Sequence, residues 1–264
     1  MIRYGLVGGV IFLLLLPFLP ILIWSGAEGW YFPQVWPETW SGQGWAAVFA
    51  AGSKVGVGFG QSLLIATLVT LLALLVGIPA GRAMGLESFW GKAWFRWFLL
   101  LPMLVSPLAV LLGIQFVMIR LRLQGSLLGV VLVHLLPTIP YMTLVMSSVF
   151  ANFDTNYEKQ ARALGADPWQ VWRHVTLPMV LPGIAASGLF AFLISWNEFL
   201  LTFFVGGGQV FTLPMVLFTL LQGGNNGLSA AVAMTSILPG VILLGLTSRI
   251  LGQSGIALAG LAKS

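Results

Sequence analysis

The sequence contains no cysteine, which removes disulfides, thiol nucleophiles, iron-sulfur ligation and thiolate zinc sites together and leaves the redox compartment unreadable. Charge is scarce as well. Asp, Glu, Lys and Arg make up 7% of the 264 residues, against roughly a quarter in an ordinary soluble domain. So few charged side chains cannot coat a water-soluble globule of this length, and the solvent for most of the chain is lipid. Also missing are a Gly-x-x-x-x-Gly-Lys phosphate loop and a His-Glu-x-x-His zinc motif, and the two histidines, His134 and His174, are far apart in sequence. The chain therefore hydrolyses no ATP by the usual P-loop route. An intramembrane enzyme lacks the metal site, carboxylate cluster or activated nucleophile it would need. A formal charge of +5 would raise nucleic acid as a partner for a soluble protein. Here the charges lie between apolar runs, and membrane topology explains them without nucleic acid.

What is present is hydrophobic: 58% of the residues, gathered into six runs, each long enough to cross a hydrocarbon core about 30 Å thick as a helix. They cover approximately 5–24, 61–80, 94–119, 126–148, 181–205 and 228–250. This pattern predicts an all-α integral membrane protein with six transmembrane helices, forming one transmembrane domain over residues 1–264. Pro102, Pro107, Pro137 and Pro140 predict kinks or local breaks in the third and fourth runs. The first run is longer than a usual signal h-region and is read as a retained anchor. Six crossings put both termini on one side. With the termini cytoplasmic, Arg3, Arg82, Lys92, Arg96, Lys159, Arg162, Arg173, Arg249 and Lys263 fall inside, and only Lys54, Arg120 and Arg122 outside. That bias matches the positive-inside rule.

Between the expected crossings, the stretch from Ser25 to Gly60 carries Trp30, Trp36, Trp40 and Trp45, suited to an aromatic belt or an amphipathic surface helix. The stretch from Gly206 to Gly227 is uncharged, glycine-rich and expected to be irregular. The one substantial polar island runs from Asn152 to Pro178 and holds six charges. Good helix formers predict a short helix over Asn156–Leu164, with Glu158 and Arg162 at i, i+4 spacing. Gly165 stops it, because glycine adopts a left-handed C-terminal conformation at least cost. Asp167 then caps a second helix whose first turn holds Pro168, and Leu177-Pro178 is expected to end it. Trp169, Val171, Trp172 and Val175 form its apolar side.

This string, with Glu158, Ala161, Gly165 and Leu177-Pro178 at their spacing, resembles the EAA signature of the membrane subunits of bacterial binding-protein-dependent ABC importers. Lys159 and Gln160 depart from the usual Ala-Ala after the glutamate. The similarity extends from Leu99-Leu-Leu-Pro102 to Leu213-Pro214. It implies a type I importer permease (MetI-like) fold, in which the island is a cytoplasmic coupling helix docking on an ATP-binding subunit. By resemblance Glu158, Ala161 and Gly165 belong to that interface. Arg162, Asp167 and Pro168 join them on local geometry, with Ala166 completing the turn. The family further implies a second permease subunit, similar or identical, two ATP-binding subunits holding ATP and Mg, and an extracytoplasmic solute-binding protein, all at the bacterial inner membrane. No cofactor is expected in this chain itself. A stand-alone secondary transporter would show internal inverted repeats and more spans, and no fixed-period repeat is found.

Within the fifth run, Ser195-Trp196-Asn197-Glu198 places a carboxylate at membrane depth, which costs a few kcal/mol and calls for a partner or a watery cavity. These four residues are read as substrate-pathway lining, with an inter-helix hydrogen-bond cluster as the alternative. An ionised Glu198 and the Trp196 ring favour a cation. The surrounding strings resemble the spermidine/putrescine (polyamine), opine and phosphonate branch, although Trp196-Asn197-Glu198-Phe199 is also similar to a string in sugar permeases. His134 is either a proton relay or a hydrogen-bond partner for a neighbouring helix, while Gly77-x-x-x-Gly81 and Gly125-x-x-x-Gly129 match a close-packing motif.

Overall fold

The computed structural model describes residues 8–9, 12–31, 33–105 and 107–261. The opening of the first expected crossing, and with it the anchor reading, lies outside those residues. The chain divides into two compact units, Met1–Ser62 with Phe211–Pro239, and Leu63–Val210 with Gly240–Ser264. In chain order the elements are α1 (Phe18–Gly26), β1 (Ala27–Glu28), β2 (Thr39–Trp40), α2 (Gln43–Phe49), α3 (Lys54–Leu86), α4 (Lys92–Leu104) and α5 (Pro107–Arg120). They continue with α6 (Leu127–Ala151), α7 (Asn156–Ala163), α8 (Pro168–Val171), a π-helical turn (Trp172–Thr176), α9 (Leu177–Trp196), α10 (Leu200–Gly206), α11 (Leu213–Gln222) and α12 (Asn226–Leu261).

Four helical stretches among the described residues are long and apolar enough to cross a membrane: Lys54–Leu86, Leu127–Ala151, Pro168–Trp196 and Asn226–Arg249. They correspond to the second, fourth, fifth and sixth expected crossings. The third is divided into α4 and α5, with Val105 already extended and Pro107 opening the second piece. A proline cannot donate into the preceding turn, so the break falls where the sequence places it. The fourth run keeps its helix through Pro137 and Pro140. Leu177-Pro178 does not end the second cytoplasmic helix as expected. The chain widens into the π turn, where the Leu177 N–H reaches back to the Trp172 carbonyl, and then continues as α9. Pro178 cannot pair with the His174 carbonyl, and a wider turn accommodates its ring.

In the first unit, β1 and β2 pair antiparallel with Ala27 opposite Trp40 and Glu28 opposite Thr39. The Gly206–Gly227 stretch, expected to be irregular, contains helix α11. Its start is satisfied by α3, whose Gln61 Oε1 accepts from the Phe211 N–H at 2.7 Å and whose Ser62 Oγ accepts from the Leu213 N–H at 2.8 Å. Pro214 in the first turn wastes no donor.

In the second unit, α3 lies against α6 along Gly77, Gly81 and Gly85. A Cβ at Gly85 would stand 2.6 Å from the Phe150 Cβ, and one at Gly77 or Gly81 would overlap Met142 or Met146. Only glycine permits this approach, so the Gly77-x-x-x-Gly81 motif marks a helix contact. The same face buries Ala73, Met142, Met146, Phe150, Val180 and Ala191 in one apolar cluster joining α3, α6 and α9. A second cluster joins α3, α5, α6 and α10 through Val69, Leu111, Val130 and Val205. The contact of α3 with the end of α6 carries Arg82 to the polar island.

Candidate functional site

The island folds as a helix–turn–helix knob. Glycine at 165 takes φ +91°, and the Gly165 and Ala166 N–H groups return to the carbonyls of Arg162 and Ala161 at 3.0 and 3.1 Å, closing the end of α7. Asp167 Oδ1 accepts from the N–H groups of Trp169 and Gln170 at 2.8 and 2.9 Å, and Gln170 Oε1 accepts from the Asp167 N–H at 3.1 Å. This reciprocal capping box, with Pro168 in the first turn, starts α8 where the sequence predicts it. Gly165, Asp167 and Pro168 are exposed, while Ala161 and Ala166 are half-buried. The end of α7 and the start of α8 are both satisfied by hydrogen bonds within the knob itself.

Glu158 is 6% exposed. Its carboxylate accepts a two-pronged pair of hydrogen bonds from Arg82 of α3, Nη1 to Oε1 and Nη2 to Oε2, each 2.8 Å. The Thr176 hydroxyl, fully buried in the π turn, donates to Oε1 at 2.5 Å. The expected i, i+4 partner Arg162 stands at 3.9 Å with its side chain 59% exposed, a weak contribution beside the Arg82 fork. The Arg82 guanidinium holds the Glu158 carboxyl below its ordinary value; burial opposes this, and the Thr176 hydrogen bond adds to it. Arg82 also lies over the Phe150 ring of α6, 5.7 Å from its centre. Arg82, Glu158 and Thr176 border a notch of about 170 Å³ with Arg162, Pro168, Val171 and Trp172.

At the tip, Leu164 is 89% and Trp169 66% exposed. Val171 is buried and Trp172 half-buried, so the expected apolar side of the second helix is divided: Trp169 faces out and Val171 in. Leu164 and the half-exposed Tyr157 did not stand out in the sequence, although each is an apolar residue inside a polar island.

The fifth-span residues separate. Ser195 and Trp196 are buried at the end of α9, and the Trp196 ring stacks on Phe192 with centres 5.7 Å apart and planes 14° from parallel. Asn197 is exposed and donates to the Leu193 carbonyl at 2.9 Å. Glu198 sits in the break between α9 and α10, where its Oε1 accepts from the Leu201 N–H at 3.1 Å and so satisfies a donor of the new helix start. Of the four, Glu198 lines a cavity of about 230 Å³, otherwise walled by Pro102, Val110, Leu111, Leu136, Pro137, Leu200 and Leu201.

His134 of α6 spans that break. Its ring nitrogens lie 2.9 Å from Ser195 Oγ on α9 and 2.9 Å from Thr202 Oγ1 on α10. The Thr202 hydroxyl also lies 3.2 Å from the Glu198 carbonyl, so it belongs to the same hydrogen-bond cluster. His134 thus takes the hydrogen-bonding place that was the alternative to a proton relay. His174 is exposed on the π turn, its Nδ1 3.1 Å from the Gln170 carbonyl.

Residues 77–253, which include both sites, match the family model described as "Binding-protein-dependent transport system inner membrane component". The putrescine transport system permease protein PotI of Escherichia coli (strain K12) is 27% identical over 234 residues, covering 85% of this chain and 77% of PotI. The molybdenum transport system permease protein ModB of the same strain is 32% identical over 206 residues, covering 67% of this chain and 90% of ModB. The inner membrane ABC transporter permease protein YnjC, also of that strain, is 27% identical over 198 residues, 75% of this chain but only 37% of YnjC. In three dimensions the chain resembles a chain from the crystal structure of a bacterial ABC transporter involved in alginate import, with a TM-score of 0.72 and 16% identity, covering 94% of each chain. That likeness is one of fold. With the family model covering most of the chain, the protein belongs to the inner membrane components of binding-protein-dependent transport systems: it is a multi-pass ABC importer permease subunit, a membrane component rather than an enzyme.

Proposed function

We propose that the knob over residues 156–171 is the lever through which ATP-binding subunits drive this permease. The chain forms half of a translocation pathway that a second permease subunit completes. Two ATP-binding subunits, which hold ATP and Mg, lie on the cytoplasmic side, and a solute-binding protein delivers substrate from outside. Both termini are cytoplasmic in this arrangement, which the distribution of Lys and Arg supports. The observation that carries the reading is the knob itself, closed at both ends by its own hydrogen bonds and presenting Leu164 and Trp169 outward. A preformed projection with an apolar tip fits a cleft without first ordering itself. Nucleotide-driven closure of the ATP-binding pair then moves the two levers together and tilts the spans as rigid bodies.

The test replaces Gly165 by Val in the reconstituted transporter. A β-branched residue at φ +91° is strained, so uptake per ATP hydrolysed should fall about tenfold or more while the subunit still inserts. An unchanged ratio rejects the lever.

The substrate class we assign is a small cationic solute such as a polyamine. Glu198 supports this as the charged residue on an otherwise apolar cavity wall, and the similarity to PotI agrees with it. A second reading, a sugar, a phosphonate or another small solute, draws on the similarity of Trp196-Asn197-Glu198-Phe199 to a string in sugar permeases, while the likeness to ModB, a molybdenum transport permease, agrees with a solute other than a polyamine. The Glu198→Gln variant separates them. Putrescine uptake should weaken, and equal uptake at equal protein removes Glu198 from the pathway.

A further inference from the structure

Glu158, which family resemblance assigns to the docking interface, has its carboxylate engaged inside this chain. Glu158 is buried, and its oxygens are taken by Arg82 of α3 and Thr176 of the π turn. Arg82 in turn lies over Phe150 at the end of α6. One carboxylate thus ties the knob to the ends of three membrane helices, α3, α6 and, through the π turn, α9. Two features of the backbone serve this meeting. Gly81 and Gly85, on either side of Arg82, let α3 approach α6 closely. The π turn, a conformation that the chain adopts only in short pieces, holds Thr176 at the carboxylate.

We infer that Arg82 is a positioning residue, the latch that makes the knob and these helix ends one rigid body. Displacement of the knob is then delivered to α3, α6 and α9 instead of being absorbed in the connection at residues 152–155. The two-pronged geometry requires a guanidinium; a lysine ammonium keeps the charge but cannot satisfy both carboxylate oxygens in parallel. The functional consequence rests on the lever reading above, whereas the latch itself is a mechanical property measurable without turnover.

The chain has no cysteine, so spin labels go only where they are introduced. Cysteines at Leu164, on the knob, and Ser148, an exposed position of α6, report the spread of knob-to-helix distances by electron–electron resonance in the nucleotide-free transporter in lipid. The unsubstituted latch should give one narrow distribution. Arg82→Ala should broaden it about twofold or more, with Arg82→Lys and Thr176→Val in between. If Arg82→Ala does not assemble, Arg82→Lys decides. A distribution as narrow in Arg82→Lys and Arg82→Ala as in the parent overturns the latch. Broadening with uptake per ATP unchanged upholds the latch and rejects the lever.

Discussion

Arg82 and Glu158 stand 76 positions apart in the sequence and meet through two parallel 2.8 Å hydrogen bonds. The pair joins a membrane helix to the polar knob, and it gives stability a pH dependence. The native Glu158 carboxyl titrates below its ordinary value of 4.5, chiefly because of the Arg82 hydrogen bond. Its contribution is therefore fully present above pH 4.5 and is lost as pH falls through the depressed native value. Thermal unfolding in detergent should show a loss below pH 4.5 that Glu158→Gln lacks. At pH 7 that variant should be less stable by about 1–3 kcal/mol, toward the lower end because Arg82 is partly solvated. An identical pH profile in both proteins would contradict the pairing.

Close packing of α3 on α6 predicts a contrast between two glycines. A Cβ at Gly81 overlaps Met146, whereas one at Gly188 meets only Leu74 and Thr70 atoms at 3.9 and 4.0 Å. Gly81→Ala should cost about 1–3 kcal/mol by overpacking, and Gly188→Ala should be near neutral. Unfolding midpoints of the two variants in the same detergent check this, and equal midpoints count against the glycine contact.

Capping by Asp167 predicts a local effect. Asp167→Ala should destabilise α8 by about 1 kcal/mol, which raises amide exchange at Trp169 and Gln170 about fivefold. Exchange followed by mass spectrometry reads it, and unaltered protection would mean that the knob is held from elsewhere.

The bridge made by His134 predicts a structural loss. His134→Leu leaves the Ser195 and Thr202 hydroxyls short of a partner across the helix break and should cost about 1–3 kcal/mol. Undiminished thermal stability combined with lost uptake would reinstate the proton-relay reading.

Much of the knob was legible in the sequence because its determinants are local. Gly165 and Asp167-Pro168 act within four residues of themselves, and the structure places both where residue chemistry puts them. The partner of Glu158 was not legible. Spacing within a helix offers Arg162, whereas the stronger partner comes from α3 after the chain has crossed and returned. The break at Asn197–Phe199 was hidden for a different reason. In lipid an apolar run has no wet face, so hydrophobic periodicity does not mark where a helix stops. Helix α11 escaped notice because flanking glycines dominate its surroundings, while its first donors are satisfied by Gln61 and Ser62 about 150 positions earlier.

The most direct measurement concerns the tip of the knob. A single cysteine at Leu164, in a chain with none of its own, can be probed in intact membranes with a bifunctional cross-linker and with a membrane-impermeant maleimide. If the knob transmits ATP-driven motion, the tip cross-links to an ATP-binding subunit and resists the maleimide added from outside. Labelling from outside, with no cross-link to a nucleotide-binding partner, would contradict it.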